Sequence, residues 1–265
     1  MIFLQKSSRA KGLSFPRKWE SRVCNEAYCV PDSRFHGHDG FCNSLVMITI
    51  IFVFLFSLYG CAGIPFQKTS YVPMDSVDPQ ALVEGFRNSS PERFQIMNTI
   101  VFEHNWNKFS GIGYIYVDTG EKTFRVACIN PMGVKLFELS GGKDGIDSHF
   151  VLEQFSREGN FAATVGEDIR RVYFDLTPSA GARIKKKKYQ VIFREPAGKG
   201  VMEYVFAGAG GYLVEKNYYE ENALNWGVSY YEYLQKEGKL YPRGIILNNY
   251  KYGYSLTVKL KEVRI

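Results

Sequence analysis

Five cysteines and four histidines are the side chains of this 265-residue chain best suited to act as nucleophiles, proton carriers or metal ligands. Cys24 and Cys29, followed by His36 and His38, have the residue types of a zinc site. A second origin for these residues, which needs no metal, is given below. His104 and His149 have no ligand-type neighbour at short spacing, and each falls at the end of an expected strand. A surface or hydrogen-bonded histidine accounts for both. Cys128 sits in the apolar run Phe124-Arg125-Val126-Ala127-Cys128-Ile129, as expected of a buried free thiol. The chain has no Gly-x-Ser-x-Gly, no phosphate-binding glycine loop and no His-Glu-x-x-His. Gly208-Ala209-Gly210-Gly211 lies between two expected strands with no long helix after it, so it reads as a hairpin turn. The expectation is a protein that is not an enzyme, with no metal and no cofactor.

Cys61 offers a different chemistry. It follows an uncharged apolar run over residues 48–58. Such a run, about 13 residues to the cysteine, has the length of a signal-peptide core and falls short of the ~20 that span a bilayer. The tetrad Leu58-Tyr59-Gly60-Cys61 resembles the lipobox of bacterial lipoproteins, with an aliphatic residue, then a small one, then the cysteine. The resemblance implies cleavage between Gly60 and Cys61, a signal peptide over 47–60, and diacylglyceryl and N-acyl lipid on Cys61. A single acyl chain anchors only marginally, whereas two or more hold a protein stably. Ala62, rather than Asp, resembles lipoproteins exported to the outer membrane. That implies a lipid-anchored, periplasm-facing protein wherever the host has such a membrane.

Residues 1–46 precede this signal and show no sustained helical or strand period. Pro16-Arg17-Lys18-Trp19-Glu20-Ser21 and Asp32-Ser33-Arg34-Phe35-His36-Gly37 look like translated halves of a dispersed inverted repeat. Codons for the first, read on the opposite strand in a shifted frame, can spell the second with an Arg/His exchange at two places. Residues 1–46 therefore read as a spurious or disordered extension, with translation starting at Met47 or the segment removed with the signal. The alternative is an unusually long basic leader. No Lys or Arg lies between Met47 and the apolar core, which favours that alternative.

Without residues 1–60 the chain loses seven basic and four acidic side chains, leaving 26 against 23. So small an excess argues against a nucleic-acid binder. Of the cysteines, only Cys61 and Cys128 then remain. Residues 61–77, punctuated by Gly63, Pro65 and Pro73, read as the lipidated cysteine and a tether. The folded domain is expected over 78–265. A short helix should follow Asp78 as N-cap and Pro79 as first helical residue, with Ala81, Leu82 and Phe86 on one face. Strands are expected over 94–103, 109–118, 121–130, 134–139 and 146–152. Apolar positions 161, 162, 165, 169, 172 and 173 predict a helix capped by Asn160. Strands resume over 188–194, 200–206, 212–220, 226–235, 240–249 and 254–263. Tight turns join them, so an antiparallel meander is the economical topology.

The sum is a mainly β (α+β) fold. Some ten or eleven strands curl into an incomplete barrel, with two or three helices on the concave side. This order of elements resembles that of the LolA/LolB-like lipoprotein-localisation proteins and their lipoprotein relatives. The closest local likeness is the segment Phe124-Arg125-Val126-Ala127-Cys128-Ile129-Asn130-Pro131-Met132-Gly133-Val134-Lys135-Leu136-Phe137-Glu138-Leu139. The resemblance implies a hollow under the sheet that receives acyl chains, of a lipid or of a lipoprotein cargo. Its candidate lining is Phe137, Leu139, Tyr114, Tyr116, Tyr231 and Tyr233, although plain core packing also explains the tyrosines. Lys185-Lys186-Lys187-Lys188 is the sharpest charge run. It reads as a solvated loop and edge-strand protector, or as a contact for anionic lipid headgroups. The favoured function is binding of an apolar ligand by a membrane-anchored lipoprotein. The alternative is a structural or assembly accessory, non-catalytic, with a filled core and an unknown protein partner.

Overall fold

Twelve strands form one antiparallel sheet, and the computed structural model describes residues 64–265 apart from 106, 157–159 and 265. Gly60, Cys61, the signal-like run and residues 1–46 lie outside the described residues. In chain order the elements are α1 (Pro79–Ser89), β1 (Arg93–His104), β2 (Asn107–Asp118), β3 (Thr123–Ile129), β4 (Lys135–Gly142), β5 (Gly145–Val151), α2 (Glu153–Ser156) and α3 (Phe161–Tyr173). They continue with β6 (Arg183–Lys187), β7 (Gln190–Ala197), β8 (Gly200–Ala207), β9 (Tyr212–Glu220), β10 (Ala223–Lys236), β11 (Lys239–Asn249) and β12 (Tyr254–Arg264).

The sheet order is β5-β4-β3-β2-β1-β12-β11-β10-β9-β8-β7-β6. Two meanders thus meet where β1 pairs with β12, and the ends β5 and β6 remain unjoined. A twisted sheet of twelve strands has to curl or split. Here it curls without closing, and the concave face holds the helices and the core. Residue parity follows directly. Phe94, Ile96 and Asn98 of β1 point inward and pair across to Val117, Ile115 and Gly113 of β2.

Local rules explain the helix ends. Both Asp78 carboxylate oxygens cap α1, accepting from the Gln80 and Ala81 amides at 3.4 and 3.1 Å, and Pro79 opens the helix. Asn160 stands at the N-cap of α3 as expected, but its side chain accepts no amide hydrogen bond there. Instead α3 is fastened at its other end, as described below.

The structure adds two elements to the expected set. α2 is a single turn, too short to show a period. β6 contains Lys185, Lys186 and Lys187, read from sequence as a solvated loop and edge-strand protector; its backbone pairs with β7, so these lysines form the edge strand itself. Lys188 lies in the turn that follows.

The segment read as a tether is also different. Phe66 is buried, stacks on Tyr231 at 5.4 Å, and covers the outer face of Gly244, where a Cβ would collide with its ring. The Gln67 amide donates to Glu232 Oε1 at 2.7 Å, and Thr69 lies against Gly208. The Met74 amide then donates to the Lys188 carbonyl at 2.8 Å, and its side chain enters the core at 2 % exposure. Residues 66–74 therefore form a strap that crosses the convex face and rounds the rim before α1 begins inside. Among the described residues no helix is long and apolar enough to cross a membrane.

Candidate functional site

Between α3 and the β4–β12 half of the sheet lies a mostly apolar groove of about 540 Å³. β1 supplies Ile100 and Phe102, β2 supplies Gly113 and Ile115, and β3 supplies Val126 and Cys128. Phe137 of β4 and Leu256 and Val258 of β12 complete the sheet wall, while Val165, Ile169 and Val172 of α3 form the roof. At Gly113 a Cβ would meet the tip of the Ile100 side chain, which would have to turn aside. Glycine on the concave side leaves room that a larger residue would fill.

A chain of phenylalanines closes one flank. Phe109 meets Phe155 of α2 at 5.6 Å, Phe155 stacks on Phe161 at 5.1 Å, and Phe161 meets Phe137 edge-on at 5.3 Å. The mouth is polar, with His104, Asn107 and Lys108. Asn105 Nδ2 lies 2.9 Å from His104 Nε2, and His104 Nδ1 lies 3.3 Å from the Gly253 carbonyl. Donation from Nδ1 to the carbonyl and acceptance at Nε2 satisfies both contacts with one neutral tautomer.

A second hollow of about 350 Å³ lies on the other side of Tyr173, among Phe86, Phe94, Ile96, Tyr230, Tyr241 and Leu260. Asn98, Val172, Tyr173 and Val258 line both hollows. The Asn98 amide donates to the Tyr173 hydroxyl at 3.3 Å, so this buried pair forms the partition between them.

The roof is held by its C-terminal end. Lys216, fully buried on β9, donates from Nζ to the carbonyls of Arg171 at 2.9 Å and Phe174 at 2.6 Å. Tyr230 Oη donates to the Val172 carbonyl at 2.9 Å. These are the carbonyls a helix end leaves without partners, and a cation there also suits the helix dipole. Burial nevertheless pulls the Lys216 pKa down to about 7. One turn back, Tyr254 Oη donates to both oxygens of Asp168, at 2.9 and 2.7 Å, and Arg171 pairs with Oδ1 at 2.7 Å. Burial outweighs these partners and pushes the Asp168 carboxyl up to about 6. Cys128 is a buried free thiol, and burial pushes it up to about 12. An inert thiol on the groove wall follows.

The sequence-derived candidates divide. Phe137 lines the groove. Leu139 faces the same side but is fully buried in the core. Tyr233 lines the second hollow, donating its hydroxyl to the Leu213 carbonyl at 2.8 Å. Tyr114, Tyr116 and Tyr231 are corrected: all three point to the convex face. Their neighbours Gly113, Ile115 and Tyr230 take the inward positions, and strand geometry sends alternate residues outward. Lys185 and Lys187 face the convex side, and all four lysines are exposed. His149 lies 2.8 Å from Ser140 Oγ. Gly208 and Gly211 form the β8–β9 turn, with the strap's Thr69 and the Leu82 of α1 packed against them. Among the described residues no three metal-ligating side chains converge. Sequence reasoning did not identify Ile100, Phe102, Val165 or Leu256 as lining. The glycines on the Gly111-Gly113-Ile115-Val117 face were the available signal, because small residues on one face mark where space is left.

No protein-family model matches this chain, and no curated protein sequence matches it. Among solved structures it is similar to a LolA superfamily protein from Nitrosomonas europaea, at 10 % identity and a TM-score of 0.48, over 72 % of this chain and 94 % of that one. A domain described as outer-membrane lipoprotein-sorting from Vibrio parahaemolyticus is similar at 10 % identity and a TM-score of 0.40, over 69 % and 90 %. A DUF1329 family protein from Desulfovibrio piger is similar at 7 % identity and a TM-score of 0.43, over 70 % and 90 %.

Proposed function

We propose that this chain is a non-catalytic binding protein whose groove holds an acyl chain, of a lipid or of a lipidated protein, and that lipid on Cys61 anchors it to a membrane outside the cytoplasm. The observation that carries this is the groove itself. A hollow of about 540 Å³ lined mainly by Ile, Val, Leu and Phe, in which the buried Asn98 and Asp168 are bonded to Tyr173 and to Tyr254 and Arg171, has the size and make-up of a ligand site rather than a packing defect. Each methylene moved from water into it contributes about 0.8 kcal/mol. A bilayer offers a chain a similar gain, so uptake and release can both proceed. A filled interior would have favoured the accessory role instead.

Native mass spectrometry of residues 63–265, purified from the host, tests this. These residues form a compact unit containing every described strand and helix. Co-purifying lipid, and displacement of a fluorescent fatty acid by unlabelled acyl chains, are the expected results. Val165→Trp, which fills the groove from the roof, should weaken fatty-acid binding at least tenfold. Lipid-free protein that fails to bind the probe would reject the reading. The anchor is tested separately by palmitate labelling, which should disappear in Cys61→Ser.

A further inference from the structure

The strap and the β6–β7 turn meet on the convex face, far from the groove's lining. Together they bring Lys68, Tyr71, Lys187, Lys188 and Tyr189 around one shallow hollow. Tyr71 is 84 % exposed and meets Tyr189 edge-on at 5.7 Å, and Lys188 Nζ lies 5.0 Å over the Tyr189 ring. The one acid lining this hollow, Glu215, is in contact with Asn217 at 3.4 Å. Lysines on β6 alone would be explained as protection of a free sheet edge. That explanation does not account for Lys68 and Tyr71, which come from another part of the chain and leave an aromatic ring in water beside the cations. Lys and Tyr together are the residues that settle at a lipid headgroup boundary.

Chain length gives a second argument. Phe66 is fixed on the convex face, and it lies five residue steps after Cys61. An extended chain covers at most about 3.5 Å per residue, so a sulfur held in a bilayer keeps Phe66 within about 17 Å of it. Lys68 and Tyr71 follow directly. We propose that this patch, Lys68, Tyr71, Lys187, Lys188 and Tyr189, docks on anionic phospholipid headgroups. This orients the convex face toward the membrane and leaves the groove on the opposite face of the sheet. The orientation rests on the lipid attachment proposed above; the docking itself does not.

Vesicle co-sedimentation of residues 63–265, which carry no acyl group, separates the two. The protein should pellet with phosphatidylglycerol-containing vesicles at low salt, be released by added salt, and stay free of pure phosphatidylcholine vesicles. The triple variant Lys68→Glu, Lys187→Glu, Lys188→Glu should bind at least tenfold more weakly, and Tyr71→Ser severalfold. All four side chains are exposed, and thermal melting verifies the fold. A control pair on another strand, Lys259→Glu with Lys261→Glu on β12, should retain binding. Equal pelleting with neutral and anionic vesicles, or equal loss in the control pair, would overturn the patch. So would tighter binding to poly-glutamate than to vesicles, which would point to an acidic protein surface. Fatty-acid binding in the groove should be unchanged in every one of these variants, so a failed groove and a failed patch give different results.

Discussion

The Asn98 side-chain amide donates a hydrogen bond to the Tyr173 hydroxyl across the interior, and the Tyr173 ring it holds stands, with Val172 and Val258, between two hollows under the sheet. The hollows hold about 540 and 350 Å³. A ligand confined to the first stops at the tyrosine ring. Removing the ring would join them. In Tyr173→Ala the preferred fatty acid should therefore shift to longer chains, read by displacement with a series of chain lengths. The cavity would also lower stability by about 3–5 kcal/mol. Tyr173→Phe keeps the ring and should leave the length preference where it is.

The fastening of α3 predicts a graded loss of stability. Tyr230→Phe removes the donor to the Val172 carbonyl, a buried acceptor, and should cost about 1–3 kcal/mol by urea unfolding. Lys216→Met strips two carbonyls, those of Arg171 and Phe174, while relieving the burial of a cation. The net is set by the unpaired carbonyls, with a loss of about 2–4 kcal/mol. If Lys216→Met proved more stable than the parent, the buried amine would be a burden rather than a clasp.

What the sequence made legible, and what it did not, follows from the range of each interaction. The Asp78–Pro79 helix start is a contact between neighbours, and it stands as expected. Alternation in β2 was equally plain, yet it does not say which face is inside. Tyrosine size suggested Tyr114 and Tyr116, but Gly113 and Ile115 went inward, in register with Asn98 and Ile96 of β1. Pro65 and Pro73 suggested a loose tether, whereas Phe66 and Met74 bind it down. Their partners, Gly244 and Lys188, lie more than a hundred residues away, and no local pattern announces them. The Lys run of β6 has no apolar alternation because an exposed edge strand needs only backbone bonds to β7. α3 showed its apolar stripe, but its fastening by Lys216, Tyr230 and Tyr254 depends on strands that come much later.

Asp168 gives the molecule a pH dependence with a definite sign. Burial raises its pKa from 3.8 to about 6, against the opposing pull of the Tyr254 hydroxyl and Arg171. Between about pH 4 and pH 6 the folded protein therefore holds a proton that the unfolded chain has released. Stability must fall as pH rises through that window, by about 3 kcal/mol for two units. Asp168→Asn removes the titration. Plotted against pH from 4 to 7, the variant's melting temperature relative to the parent should climb and then level off near pH 6.5. Tyr254→Phe, which takes away a hydrogen bond favouring the carboxylate, should move that midpoint upward. A parallel pair of curves for parent and Asp168→Asn would mean that Arg171 keeps the group ionised throughout.

The strap can be released without touching the core behind it. Gly244 lies on the convex face of β11, and its missing side chain makes the seat for the Phe66 ring. Gly244→Val suits a strand and leaves the inward neighbour Ile245 in place, but it occupies that seat. The ring then loses its burial, worth about 2–3 kcal/mol, and the Gln67 amide is carried away from Glu232. Residues 64–74 of the variant should be cut by a broad-specificity protease at least tenfold faster than in the parent, while the sheet resists. Met74 decides how far the release spreads. Its side chain is buried under the rim at 2 % exposure and its amide is bonded to Lys188. Cleavage should therefore concentrate before Met74, with α1 still protected. Cleavage running into α1 would show that Phe66, not Met74, is what holds the first helix against the sheet.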